Sequence, residues 1–274
     1  MLTARWPGRA AAGLARDGIA AAAGWACLAV MAAAQLASSR TGHLVLFTGL
    51  IVVLLAASAV AFTAARCGAA RALAAAAAGF ALGLAAEWAG TRTGLPFGSY
   101  RYTGLLQPAL GGVPLAVPLA WAGMGLPACA VGCLAARRAG WQIVTGAVAL
   151  TAWDVFLDPQ MIRSGFWRWA QPGPYQGVPL SNFAGWLAVS ALLMAVFRLV
   201  LRGGLADRRL LAVYTVMAVM ETVGFAVVFP HGRQIALAGG LAMGIPAAAA
   251  WAASRAGGRD GDAGRAGARE DGRG

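Results

Sequence analysis

Four acidic residues lie within long apolar stretches of the sequence: Glu87, Asp154, Asp158 and Glu221. A carboxylate at the centre of a bilayer costs on the order of 2.5–3.5 kcal/mol, so such residues face the protein interior and are functional candidates. Asp154 and Asp158 are four residues apart, so a helix places both carboxyl groups on one face. Two adjacent carboxyls in a dry site do not readily both ionise, so we expect one to keep its proton. The pair predicts a general acid beside a general base.

A structural role is the alternative for each of these acids. A neutral carboxyl can hydrogen-bond a neighbouring helix, or a charged one can pair with an arginine. This alternative weighs most for Glu221. Pro159 follows Asp158 directly and predicts that Asp158 lies close to a helix end. The candidate arginine partners of these acids are Arg92, Arg101, Arg163 and Arg168.

Two long connecting segments, 91–112 and 162–180, follow these acids and are rich in Gly, Pro, Tyr and Trp. Aromatic residues at a membrane interface form belts without any catalytic role. The alternative is a lid of aromatic walls over a shared pocket. Aromatic faces stabilise cations by about 2 kcal/mol or more when desolvated.

The elements that position these residues are predicted to be membrane-spanning helices. Hydrophobic residues make up 59% of the 274 residues and charged residues 12%, and about 20 apolar residues cross a bilayer as a helix. The fold class is therefore an all-α polytopic bundle of seven or eight spans. Residues 1–253 form one membrane domain, and the Arg/Gly/Asp-rich tail 254–274 is predicted to be disordered. The predicted spans are 18–37, 43–65, 70–90, 113–136, 141–161, 181–201, 209–229 and 234–252. The first is interpreted as a retained helix and not as a signal peptide.

The distribution of the basic residues predicts an orientation. All 22 are Arg, and an eight-span topology with the N-terminus inside places sixteen of them on the cytoplasmic side and six outside. Both termini are then cytoplasmic, and the net charge of +12 reflects a plasma-membrane location and contact with lipid. No soluble basic face remains for nucleic acid.

Metal and redox chemistry are not expected. The four cysteines lack metal-ligand spacing and the chain has two histidines, too few for a histidine-rich iron or zinc centre. The sequence has no Rossmann glycine pattern and no phosphate-binding loop. We therefore predict no metal and no cofactor.

An internal repeat relates the acids to the aromatic loops. Eleven residues after Glu87 the chain reads Gly-x-aromatic-Arg-aromatic at 98–102, and eleven residues after Asp154 it does so again at 165–169. The parallel continues through two Gly-Val-Pro-Leu segments, 112–115 and 177–180, and through Trp121 and Trp186. This predicts a parallel repeat of helical hairpins.

A weaker third copy starts at Glu221, 67 residues after Asp154, and has lost the aromatic loop. Thr91 and Phe225 occupy the positions that would align with Asp158 in the other two copies. Asp158 therefore has no acidic counterpart. It is our first choice for a catalytic acid.

Taken together, these segments resemble a membrane-bound family of carotenoid biosynthesis. That family contains the cofactor-independent carotenoid 1,2-hydratases and the bisanhydrobacterioruberin hydratases. The resemblance covers about residues 80–230. The segments that carry it are Glu87 with 94–100, 112–115 with Trp121, 151–160, 165–169 and 177–186.

The resemblance implies a hydratase that adds water to the terminal 1,2 double bond of an acyclic carotenoid and gives a tertiary alcohol. Carotenoid and water are then the partners, with other carotenoid biosynthesis enzymes as further candidates. In our hypothesis Asp158 or Asp154 donates the proton, and the other carboxyl or Glu87 orients water. Substrate contacts are expected from Tyr100, Tyr102, Trp121, Trp153, Trp167, Trp169, Asn182 and Trp186, with Arg101, Arg168 and Glu221 as secondary polar residues.

Three other functions stay open from the sequence. Repeats with intramembrane acids are also typical of proton-coupled lipid transporters and flippases. A magnesium-dependent prenyl or lipid transferase would use Asp154 and Asp158 for the metal and Arg101 or Arg168 for diphosphate. The third is a non-catalytic assembly subunit.

Overall fold

The apolar segments of the chain all form helices. The computed structural model describes residues 7–270, with side chains described for 17–38 and 40–256. The helices are α1 (Pro7–Thr41), α2 (Leu44–Cys67), α3 (Ala69–Thr93), α4 (Ala116–Ala135), α5 (Ala139–Arg163), α6 (Leu180–Val200), α7 (Arg208–Val223) and α8 (Arg233–Glu270). A short π-helical segment, Gly224–Val228, directly continues α7.

Eight helices in the described part of the chain are long and apolar enough to cross a membrane. Their spans agree with the predicted ones to within four residues at each end, and the predicted all-α polytopic bundle is confirmed. The chain is therefore a multi-pass membrane protein. The predicted tail at 254–274 falls almost entirely on residues whose side chains the structure does not describe, and it stays a prediction.

Helix α4 lies at the centre of the bundle. In its most apolar window 78% of the residues are buried, against 22% for each of α1, α2 and α3. Small residues permit this close packing, because a Cβ at Gly132 would collide with the carbonyl of Gln142 on α5. Helix α4 contacts α2, α3, α5, α7 and α8.

The two aromatic loops pair with each other. Strand β1 (Tyr100–Tyr102) and strand β4 (Trp167–Trp169) form an antiparallel ribbon. A small hairpin of β2 (Ala109–Leu110) and β3 (Val113–Pro114) lies between them in the chain. In the β1–β4 register Arg101 faces Arg168. These two arginines are equivalent in the repeat, so the ribbon has a pseudo-two-fold axis at its centre.

A second contact lies between equivalent residues. The rings of Trp121 on α4 and Trp186 on α6 stack with centroids 4.0 Å apart and planes inclined by 18°. These tryptophans occupy matching positions in the first two copies of the repeat. The two hairpins, α3–α4 and α5–α6, therefore face each other and enclose a space beneath the ribbon. Each contributes one acid to that space, Glu87 from the first hairpin and Asp158 from the second.

Helix α5 runs through Pro159 and ends at Arg163, so Asp158 lies within its last two turns, toward the helix end as predicted. Proline cannot donate to the carbonyl four residues earlier, which belongs to Val155. The hydroxyl of Tyr175 donates to that carbonyl at 3.1 Å instead. Burial raises the pKa of Tyr175 to about 12, so the hydroxyl remains a donor at neutral pH.

Candidate active site

A cavity of about 260 Å³ lies beneath the β1–β4 ribbon. Residues from α1 to α7, from both strands of the ribbon and from the π-helical segment line it. Three of the four intramembrane acids, Glu87, Asp158 and Glu221, are among them. The sequence-predicted contact residues all line it as well: Tyr100, Tyr102, Trp121, Trp153, Trp167, Trp169, Asn182 and Trp186.

Glu87 on α3 is the acceptor of three hydrogen bonds. The hydroxyls of Tyr100 and Tyr102 donate to its Oε2 at 2.5 and 2.6 Å, and Trp121 Nε1 donates to its Oε1 at 3.0 Å. Burial and the neighbouring carboxyl raise the pKa of both tyrosines well above the ordinary value. Both hydroxyls therefore stay protonated and serve as donors. All three donors to the Glu87 carboxyl belong to the same copy of the repeat as Glu87.

Asp158 on α5 lies across the ribbon from Glu87. Trp167 Nε1 donates to its Oδ1 at 2.6 Å, and Asn182 Nδ2 donates to its Oδ2. The residue is 2% exposed and borders the cavity. No arginine in the described part of the chain forms an ion pair with it. Asp158 is thus a carboxyl that neutral donors hold against the cavity.

Asp154 is set behind Asp158. Its Oδ2 accepts from the same Asn182 nitrogen at 2.6 Å, so one amide group links both aspartates. Asp154 is fully buried and is not part of the cavity wall, and its Oδ1 has no partner among the described side chains. Asp154 can therefore influence a bound molecule through Asn182 and Asp158.

The two repeat copies bind their acids differently. Trp167 occupies the position equivalent to Tyr100, but it donates to Asp158 and not to Asp154. Trp169 is equivalent to Tyr102, and its Nε1 is buried without a partner among the described residues. Thr91, at the position of Asp158, uses its hydroxyl to bond the backbone carbonyls of Glu87 and Trp88.

Aromatic rings form much of the remaining wall. Trp153 meets the edge of Trp186 at a centroid distance of 6.4 Å, and Tyr100 packs against Trp169 at 5.0 Å. Tyr102 and Trp167 contact edge to face at 5.8 Å. A positive charge in this space would meet several aromatic rings and three carboxyls, those of Glu87, Asp158 and Glu221.

The three residues predicted as secondary polar contacts, Arg101, Arg168 and Glu221, do not all lie at the cavity. Arg101 and Arg168 are exposed, and neither borders the cavity. Glu221 does border it and is 7% exposed, and its carboxyl forms no hydrogen bond with a described residue. Among the described side chains the single ion pair joins Arg209 and Asp207, so the intramembrane acids do not pair with arginines.

Sequence reasoning missed the contributions of α1 and α2. Gln35 on α1 and Thr48 on α2 line the cavity, as do Phe97 and Leu106 from the first loop. Gln35 had a signal, because an amide within an otherwise apolar span is costly unless it serves a purpose. Thr48, Phe97 and Leu106 had none, since such residues are common in any helical membrane protein.

Within the described part of the chain, no three His, Cys, Asp or Glu side chains come together to hold a metal. The two aspartates proposed for magnesium in the transferase alternative share one amide, and only Asp158 borders the cavity.

Comparison with known proteins gives the family. Residues 47–249 match the family described as "Carotenoid biosynthesis protein". A bisanhydrobacterioruberin hydratase from Haloarcula japonica is similar to this chain, with 33% identity over 111 residues. The match covers 39% of this chain and 38% of the relative. No solved structure matches significantly.

Proposed function

This chain belongs to the family of carotenoid biosynthesis proteins, and from that premise we propose that it is a hydratase. It adds water to the terminal 1,2 double bond of an acyclic carotenoid and forms a tertiary alcohol. The relative from Haloarcula japonica is named as a hydratase, which supports the reaction class, although the match covers well under half of that protein. The observation that carries the proposal is the Asp158 carboxyl at the wall of an aromatic cavity.

Protonation of the double bond is the first step. The terminal double bond joins C1, which bears two methyl groups, to C2. The Asp158 carboxylic acid transfers its proton to C2, and the π electrons form the new C–H bond. A tertiary cation remains on C1, and Asp158 becomes a carboxylate. The rings of Trp153, Trp167 and Trp169 stabilise the cation through their faces.

Capture of water completes the reaction. A water oxygen bonds to C1, the protonated alcohol releases one proton, and the Asp158 carboxylate accepts it. The acid is then restored, and the net change is the addition of one water. Because this reaction is neither an oxidation nor a reduction, it requires no electron donor or acceptor.

Glu87 has a different role in this scheme. Three donors converge on its carboxyl, and a carboxylate is an acceptor that suits such an arrangement. It provides a fixed negative charge that favours the cation and orients the attacking water. Electrostatic groups positioned in advance for the charge that develops are a major source of catalysis.

Asp154 is a positioning residue. It holds the Asn182 amide from behind, and that amide in turn holds Asp158. Two carboxyls on one amide nitrogen in a dry site favour a state in which one keeps its proton. In this proposal the pair holds one proton before the reaction, and Asp158, which borders the cavity, delivers it.

The test is expression of the full chain in a host that accumulates an acyclic carotenoid. We expect carotenoids heavier by one or two waters, with the alcohol oxygen derived from heavy-oxygen water and not from dioxygen. Asp158→Asn should abolish these products. Asp207→Asn is its matched control, because Asp207 is also buried but caps α7 and bonds Arg209 away from the cavity. An unchanged carotenoid profile with the protein inserted would contradict the proposal.

A further inference from the structure

The cavity has a second polar region that the proposed reaction does not use. Gln35 on α1 and Glu221 on α7 both border it. Met217, one helical turn before Glu221 on α7, accepts a weak contact from Gln35 Nε2 at 3.6 Å. Gln35 and Glu221 therefore belong to the same side of the cavity. Neither is hydrogen-bonded to Glu87, Asp158 or Asn182.

Both residues have unused hydrogen-bonding capacity. Gln35 Oε1 is buried without a partner among the described residues. Glu221 is 7% exposed as a residue, and its carboxyl has no hydrogen bond or ion pair within the described part of the chain. An unsatisfied buried polar group costs roughly 1–3 kcal/mol. A buried amide oxygen without a partner and an unpartnered carboxyl beside the same cavity indicate a ligand that bonds both.

This side of the cavity reaches the outer surface of the helix bundle. Four of the residues that line the cavity are exposed, and all four are aliphatic: Leu36 at 58%, Leu44 at 37%, Val223 at 44% and Val228 at 46%. They come from the adjoining ends of α1 and α2 on one side and from α7 with its π-helical segment on the other. Gln35 and Glu221 adjoin them in sequence, so the polar pair lies just inside a sideways opening.

We propose that Gln35 and Glu221 form a second subsite that binds the hydroxyl of a carotenoid end-group alcohol at the lateral opening of the cavity. This inference rests on the proposed function, because the hydratase product is such an alcohol. It adds a site at which the new hydroxyl is bound between the acid site and the bilayer.

The chemistry of the pair fits a hydroxyl. A hydroxyl group donates one hydrogen bond and accepts others, and an amide beside a carboxyl offers both functions. A hydrocarbon end group would satisfy neither residue. The apolar rim of the opening suits the polyene that carries the hydroxyl. Lipid provides no hydrogen-bond partner for an alcohol that leaves the acid site, and this subsite does.

The test compares two ligands in a background that cannot turn them over. The full-length Asp158→Asn variant in detergent is titrated with an acyclic polyene and with the same polyene bearing one tertiary end-group hydroxyl. Quenching of tryptophan fluorescence reports binding. We expect the alcohol to bind about fivefold more tightly, as one net hydrogen bond provides. Adding Gln35→Leu or Glu221→Leu should bring the ratio of the two affinities close to one.

Ser190→Ala is the matched control, because the Ser190 hydroxyl is also buried without a described partner but does not line the cavity. It should leave the ratio unchanged. The ratio is independent of turnover, so it tests the subsite even if hydration itself fails. An equal affinity for both ligands before the additional changes would overturn the proposal. So would a ratio that persists in both leucine variants, which is the result expected if the two residues only bond each other.

Thermal unfolding provides a second measurement. Removal of an unsatisfied buried polar group does not destabilise a protein in the way that breaking a hydrogen bond does. Gln35→Leu and Glu221→Leu should therefore keep or raise the unfolding midpoint. A clear drop in both variants would show that the residues serve the fold and would contradict the assignment.

Discussion

The two halves of the repeat have the same backbone plan and bind their acids in different ways. In the first half three donors fix the Glu87 carboxyl, and no second acid lies on α3 near it. In the second half two aspartates share the Asn182 amide, and Asp158 borders the cavity. A duplicated scaffold has thus produced one fixed acceptor and one carboxyl suited to proton transfer.

The largest expected effect concerns the acid itself. Asp158→Asn removes the transferable proton but keeps a side chain of similar size, so hydration should fall at least about 100-fold, as loss of general acid catalysis typically does. Product formation per inserted protein is the measurement. The amide oxygen of the variant can accept from only one of the two donors, Trp167 and Asn182, so the amount of folded, inserted protein is measured alongside. A rate within threefold of the wild type would remove Asp158 from the mechanism.

Asp154→Asn should have a smaller effect. Asp154 does not border the cavity and acts through Asn182. We therefore expect kcat to fall about tenfold with little change in KM. The pH–rate profile should shift at the same time, since the second carboxyl of the pair is gone. An unchanged profile together with lower protein stability would identify a purely structural role.

A pair of equivalent positions compares the halves directly. Tyr102→Phe removes a donor from Glu87, and the activity should fall roughly three- to tenfold. Trp169→Phe, at the matching position, removes an Nε1 that has no described partner, so it should affect activity less. The same kinetic assay on both variants tests the difference. A greater loss from Trp169→Phe would show that the second half depends on this ring more than the hydrogen bonds suggest.

Tyr175→Phe should destabilise the protein by about 1 kcal/mol, because the Val155 carbonyl loses its partner. In a Pro159→Ala background the helix can restore that bond from its own backbone. The cost of Tyr175→Phe should then be smaller. Unfolding of the four proteins of this double-mutant cycle measures the coupling, and additive costs would contradict the explanation.

The smallest effect is expected at the ribbon surface. Arg101→Gln and Arg168→Gln should leave hydration within about twofold of the wild type, because both side chains are exposed away from the cavity. Like charges facing across two strands are unfavourable, so stability should not decrease. A loss of activity above tenfold would show that these arginines take part in substrate binding or in the reaction.

The span positions followed from hydropathy, since lipid requires long apolar helices wherever the chain crosses it. Spacing alone identified Asp154 and Asp158, and the repeat distinguished Asp158. The pairing of β1 with β4 was not predicted, because a three-residue strand has no sequence signal of its own. The hydrogen bond from Trp167 to Asp158, and not to Asp154, depends on the antiparallel register. The hydrogen bond from Tyr175 to the Val155 carbonyl joins residues far apart in sequence and had no local signal.

The central claim is that Asp158 delivers the proton that begins hydration. Purified wild-type protein and the Asp158→Asn variant are supplied with an acyclic carotenoid in heavy water, and the product is analysed by mass spectrometry. We expect the wild type to form an alcohol with one non-exchangeable deuterium on C2 and the variant to form almost none. Labelled alcohol from Asp158→Asn at the wild-type rate would contradict it.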